Sequence, residues 1–216
     1  TTISSGFLGT PAASVGPTSG AFGAGTLTLA SGGLLALNAG GLTVNNPIQF
    51  NNNVQITVAG TSVNFVGSGA TPIGLQAGNP WTLNNTTSGG ITFSGAIIST
   101  DATSRDFALL GPGSYIYNTP ILSATGAGIV RTVINTPGSV TFNSSALTNT
   151  QGILMNQGSV IMNAAQPFMA AGQTGGIVNM AGGNLRSANA ALTTGANALQ
   201  TPLMLTNRLG LIAGTN

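Results

Sequence analysis

A six-residue pattern recurs along the second half of this 216-residue chain. Gly113-Ser114-Tyr115-Ile116-Tyr117-Asn118 is followed by Gly138-Ser139-Val140-Thr141-Phe142-Asn143 and then by Gly158-Ser159-Val160-Ile161-Met162-Asn163. A worn copy opens at Gly183-Asn184-Leu185-Arg186-Ser187, and Gly78-Asn79-Pro80-Trp81-Thr82-Leu83-Asn84 is a fainter relative. The steps are 25, 20 and 25 residues. Each copy reads Gly-Ser-apolar-x-apolar-Asn. Glycine turns the chain, two apolar side chains two positions apart face one way, and asparagine closes the strand. A step of this length suits one coil of a parallel β-helix, with about three short strands and three corners. Such a unit cannot bury its apolar side alone, but stacking it on its neighbours makes a continuous core.

The rest of the chain agrees with an all-β reading. Thr26-Leu27-Thr28-Leu29, Val54-Gln55-Ile56-Thr57-Val58, Ser62-Val63-Asn64-Phe65 and Ile91-Thr92-Phe93-Ser94 alternate polar with apolar residues, the period of a half-buried strand. Gly, Asn, Asp and Pro break the runs. Helix signals are nearly absent, and the best window, Ala188 to Leu199, is interrupted by Gly195 and two asparagines. The expected fold is a parallel β-helix (β-solenoid) over residues 21–216, preceded by a Gly/Ser/Pro-rich arm or linker over residues 1–20. The alternative is an antiparallel β-sandwich or barrel with strands every 8–12 residues.

Charge supports the stacked reading. Only six residues are charged: Arg105, Arg131, Arg186, Arg208, Asp101 and Asp106. In a stack, equivalent side chains on neighbouring coils lie about 4.8 Å apart. Two like charges at that distance repel by roughly 0.9 kcal/mol in bulk water, and several-fold more beside low-dielectric protein. Asn, Thr and Ser avoid the repulsion and form hydrogen-bonded ladders. Scattered arginines do not make the clustered cations that nucleic acid requires, and no apolar run reaches the length of a membrane span.

Three segments resemble the autotransporter-associated β-strand repeats of bacterial surface proteins. One runs from Gly25-Thr26-Leu27-Thr28-Leu29 through Gly41-Leu42-Thr43-Val44-Asn45-Asn46-Pro47-Ile48. The second runs from Thr82-Leu83-Asn84 to Gly90-Ile91-Thr92-Phe93-Ser94-Gly95-Ala96-Ile97. The third runs from Gly182-Gly183-Asn184-Leu185 to Thr201-Pro202-Leu203-Met204-Leu205. Together they cover about a third of the chain. The resemblance implies a secreted, passenger-type β-helical stalk. Such proteins usually carry a C-terminal outer-membrane barrel that is not in this sequence, which implies a fragment or a separately exported subunit.

The chain offers little material for chemistry. It has no His, Cys, Glu or Lys, so Ser-His-Asp and Cys-His arrangements are out of reach, as are disulfides and thiolate metal sites. The one charge cluster is Ser99-Thr100-Asp101-Ala102-Thr103-Ser104-Arg105-Asp106. It reads either as a calcium or acid/arginine site or as a surface corner whose charges pair with each other. Two carboxylates are few for a cation that takes six to eight oxygens. Trp81, Tyr115 and Tyr117 read as core residues, with stacking on sugars the other possibility. Arg131 reads as an outward position on a strand. Asn84, Asn85 and Asn143 have the form of glycosylation acceptors, which an Asn/Thr-rich chain produces by chance. No catalytic, cofactor or metal residue is assigned.

The function expected from these features is structural and non-enzymatic. The chain reads as an extracellular, self-assembling fibre or biofilm-matrix subunit, secreted or on a bacterial cell surface. Its partner would be itself, in a homo-oligomeric filament. The expected contact is head-to-tail: the arm of one molecule pairs with the strand-like end Leu209-Gly210-Leu211-Ile212-Ala213-Gly214 of the next. The alternative is an adhesin stalk or passenger that binds surface glycans.

Overall fold

Residues that alternate in sequence become strands because one face of each finds an apolar interior and the other meets water. The computed structural model describes residues 2–3, 6–10, 22–23, 25–30, 33–37, 41–51, 53–58, 62–67, 72–76, 81–123, 128, 130–144, 150–163, 177–187 and 203–205. The chain enters as β1 (Thr2–Ile3) and β2 (Gly6–Thr10). Then come β3 (Leu27–Ala30), β4 (Gly33–Leu37) and β5 (Leu42–Val44), followed by β6 (Ile48–Asn51), β7 (Asn53–Val58) and β8 (Ser62–Phe65). The next two coils are β9 (Ile73–Leu75), β10 (Trp81–Asn85) and β11 (Gly90–Phe93), then β12 (Ile97–Ser99), β13 (Arg105–Leu110) and β14 (Tyr115–Tyr117). The chain continues as β15 (Ile121–Ser123), the long strands β16 (Val130–Phe142) and β17 (Thr150–Met162), and finally β18 (Ile177–Met180), β19 (Asn184–Ser187) and β20 (Leu203–Leu205).

Every strand pairing is parallel, and each strand pairs with its equivalent one coil away. This is a β-solenoid, and the antiparallel sandwich is excluded. No helix occurs among the described residues. The strands form three columns. The first is β1-β3-β6-β9-β12-β15. The second runs from β2 through β4, β7, β10 and β13 into the first half of β16 and β17, then to β18 and β20. The third runs from β5 through β8, β11 and β14 into the second half of β16 and β17, then to β19. The six-residue pattern of the sequence is the third column, with Tyr115, Val140, Val160 and Leu185 in register.

The interior is built from ladders of like residues. Leu27, Ile48, Ile73, Ile97 and Ile121 stack along the first column, all fully buried. Burying one such side chain contributes roughly 1.5–3 kcal/mol. In the third column Phe65, Phe93, Tyr117 and Phe142 stack with ring centroids 6.1, 5.0 and 5.0 Å apart. Trp81 is fully buried in the second column, and its Nε1 donates to the Gln76 carbonyl at 2.8 Å.

One finding qualifies the expected organisation. The segment read as an arm contributes β1 and β2, which pair in parallel with β3 and β4, so the stack begins inside it. Short strands need only a partner edge, and a Gly-rich segment of that length carries no clear alternation to announce them. The helical window Ala188–Leu199 and the terminal run Leu209–Gly214 lie outside the described residues.

The bend between the second and third columns is sealed from inside by polar side chains. Asn85 is fully buried; its Nδ2 donates to the Gly89 carbonyl at 2.5 Å. Thr136, also fully buried, donates from Oγ1 to the Gly111 carbonyl at 2.6 Å and accepts from the Gly138 N–H at 3.0 Å. A Cβ on Gly113 would overlap the Asn85 side chain, and Gly158 adopts φ +89° against the Thr136 carbonyl. That is the physical reason the pattern begins with glycine: the bend is already filled.

Candidate functional site

Two surfaces of the solenoid carry exposed polar side chains in an ordered arrangement. The first is the charged corner. Asp101 follows β12 and is nearly buried. Its Oδ1 accepts the Thr103 N–H at 2.9 Å, its Oδ2 accepts Arg105 Nε, and its carbonyl accepts the Gly128 N–H at 2.7 Å. One coil apart, Asp106 and Arg131 are register partners on β13 and β16. Arg131 donates from Nε to Asp106 Oδ1 and from Nη2 to Oδ2, both at 2.8 Å. Its hydrogen bonds to Asp106 hold the Arg131 guanidinium above its ordinary pKa.

Both carboxylates therefore face guanidinium groups. A cation would have to displace an arginine from each, and among the described residues no third carboxylate joins them. The donor set does not fit calcium, and neither carboxylate is left free for acid–base work. The corner is a pair of ion pairs. Its charges are opposite where they meet on adjacent coils, as the repulsion argument requires.

The second surface is the outward face of the third column. The pattern's terminal asparagines form a ladder. Asn118 Nδ2 lies 3.4 Å from Ser94 Oγ, Asn143 Nδ2 donates to Asn118 Oδ1 at 2.7 Å, and Asn163 Nδ2 donates to Asn143 Oδ1 at 2.7 Å. All three asparagines are exposed. Their backbone N–H groups bond the preceding coil, Asn118 to Phe93, Asn143 to Tyr117 and Asn163 to Phe142, at 2.8–2.9 Å. Backbone pairing thus fixes each amide at the spacing of the stack. Beside them runs a column of Ile116, Thr141 and Ile161, all half-buried. On its far side stand Ser139 and Ser159 in register, with Ser114 before Tyr115.

The remaining sequence-derived candidates are placed as follows. Trp81, Tyr115 and Tyr117 are fully buried in the core and offer no face to a sugar. Arg131 points outward, half-exposed, in its ion pair. Asn85 is buried and bonded, Asn84 is half-buried and Asn143 is exposed within its ladder. Arg186 is exposed on β19, and Arg208 lies outside the described residues. The sequence places these asparagines at strand ends and leads one to expect amide ladders in a stack, but it does not single out these three as one ladder. Their identical place in three consecutive copies was the available signal.

No protein-family model, no curated protein and no solved structure matches the chain.

Proposed function

We propose that the protein is a structural, self-associating subunit of an extracellular fibre or matrix, secreted or displayed on a bacterial surface. The observation that carries this reading is the edge structure of the stack. Among the described residues, β1 and β2 have strand partners on one side only, and so do β19 and β20 toward the opposite end. Such edges present backbone N–H and C=O groups in parallel geometry. Each end is a template for the other. A head-to-tail contact between them does not close, and it propagates as a filament. The near-absence of charge fits this role, because neither end carries the lysines that usually block strand addition.

Removing residues 1–20 would only shift the open edge to β3 and β4, so substitution is the sharper test. Electron microscopy and sedimentation of the purified chain should give filaments that increase with concentration. Thr2→Lys combined with Leu8→Pro, which loads the first coil with a charge and removes a backbone donor, should suppress them. A wild-type chain that sediments as a monomer at every concentration overturns the reading.

A further inference from the structure

We propose that the outward face of the third column, across the coils of β14, β16 and β17, binds an extended, uncharged, β-linked polysaccharide lying along the stack axis. Each asparagine amide of the ladder carries two N–H donors and an oxygen with two lone pairs. Within the ladder Asn143 uses one donor toward Asn118 and one lone pair toward Asn163. One N–H and one lone pair on the same exposed amide remain for an outside partner. The ladder also fixes the amide plane, so a ligand does not bear the entropy of ordering it.

The chemistry across the face is that of a sugar chain. Ser114, Ser139 and Ser159 line one side, Asn118, Asn143 and Asn163 the other, and the strip between them is Ile116, Thr141 and Ile161. A pyranose ring in a β-linked chain presents apolar C–H faces and hydroxyls at its equatorial edges. Aliphatic side chains suit the former, and hydroxyl and amide groups on both flanks suit the latter. An extended β-1,4-linked chain advances by roughly 5 Å per sugar, comparable with the stack spacing of about 4.8 Å, and turns successive sugars over. Equivalent contacts therefore recur at alternate coils, and weak contacts add along the chain. None of these nine residues is charged, and the nearest charge on the face is Arg186, one coil further along. A polyanion would need clustered cations here. Burial of Trp81, Tyr115 and Tyr117 makes this a hydrogen-bonding surface without an aromatic platform.

The test uses the purified full chain, monomeric or assembled, with cellohexaose and chitohexaose as extended probes and maltohexaose as the coiled control. Titration followed by amide NMR or affinity electrophoresis should give saturable binding of an extended probe, about tenfold or more tighter than maltohexaose. Asn143→Ala removes the central amide and should weaken binding by about tenfold, the equivalent of one lost hydrogen bond. Thr141→Arg leaves the ladder intact but obstructs the strip, and should abolish binding. Asn53→Ala, an exposed asparagine on the second column, should leave binding unchanged. Circular dichroism checks each fold; if Asn143→Ala unfolds, Thr141→Arg decides. Absence of saturable binding, equal binding of maltohexaose, or wild-type affinity in Thr141→Arg overturns the proposal.

Discussion

Tyr115 and Tyr117 stand two positions apart on β14, both fully buried, yet their hydroxyls have opposite standing. The Tyr115 hydroxyl donates to the Leu110 carbonyl at 2.5 Å and accepts the Asn85 N–H at 3.1 Å, tying the bend between the columns together. The Tyr117 hydroxyl is buried without a hydrogen-bond partner among the described residues. Tyr115→Phe should therefore destabilise the protein by about 1–3 kcal/mol, since it strands a buried donor and acceptor. Tyr117→Phe should be neutral or stabilising by up to about 1 kcal/mol. Denaturant unfolding of the two variants checks the contrast, and equal losses would contradict it. Burial raises the pKa of both phenols above 10.0 in the folded state, and for Tyr117 the neighbouring Tyr115 adds to the effect. The folded state thus holds both protons where the unfolded chain releases them. The contribution of the two phenols to stability should be constant below pH 10, then fall by about 1.4 kcal/mol per pH unit for each tyrosine as the unfolded phenols ionise. Unfolding measured at rising alkaline pH should show about half the combined slope of the two tyrosines in either phenylalanine variant.

At the scale of the strand, the fold rests on like residues meeting their own kind one coil away. Ile97 sits in the middle of the first column, between Ile73 and Ile121. Its neighbours are held by backbone pairing and cannot close over a gap. Ile97→Ala should cost about 2–5 kcal/mol, at the upper end if the ladder stays rigid, as thermal unfolding would measure. The third column was legible in the sequence because its glycine, serine and asparagine recur together at nearly even steps. The first column was not, although its signal was present. Pro47-Ile48, Pro72-Ile73 and Pro120-Ile121 open equivalent strands, and the proline carbonyls accept the N–H groups of Leu27, Ile48 and Ile97. Two residues repeating among variable loops give too little pattern to separate from chance. The second column was hidden for another reason. Its equivalent positions run through Trp81, Phe107, Thr132 and Ile153, so no residue type recurs from coil to coil. The ion pairs of the charged corner were legible as a cluster, but Arg131 lies 25 residues from Asp106 and only the register joins them.

Over the whole molecule, the scarcity of charge is a requirement of stacking. Interior hydrocarbon, backbone pairing and neutral side-chain ladders hold the coils, and none of these weakens when salt is added. Wild-type stability should therefore change little from low ionic strength to about 1 M, where the screening length falls to about 3 Å. Among the described residues, the Asp106–Arg131 pair sets opposite charges on adjacent coils in register. Asp106→Arg would set two guanidinium groups against each other at the stack spacing. Both side chains are partly exposed, at 34% and 40%, so solvent reduces the penalty to about 1 kcal/mol beyond the lost pair. That penalty should shrink as salt rises, giving the variant a salt-dependent unfolding midpoint that the parent lacks. Asp106→Asn removes the pair without creating repulsion, and should lose a little stability with no gain from salt. A variant series in which Asp106→Arg and Asp106→Asn respond alike to ionic strength would mean that like charges on neighbouring coils do not repel enough to shape this composition.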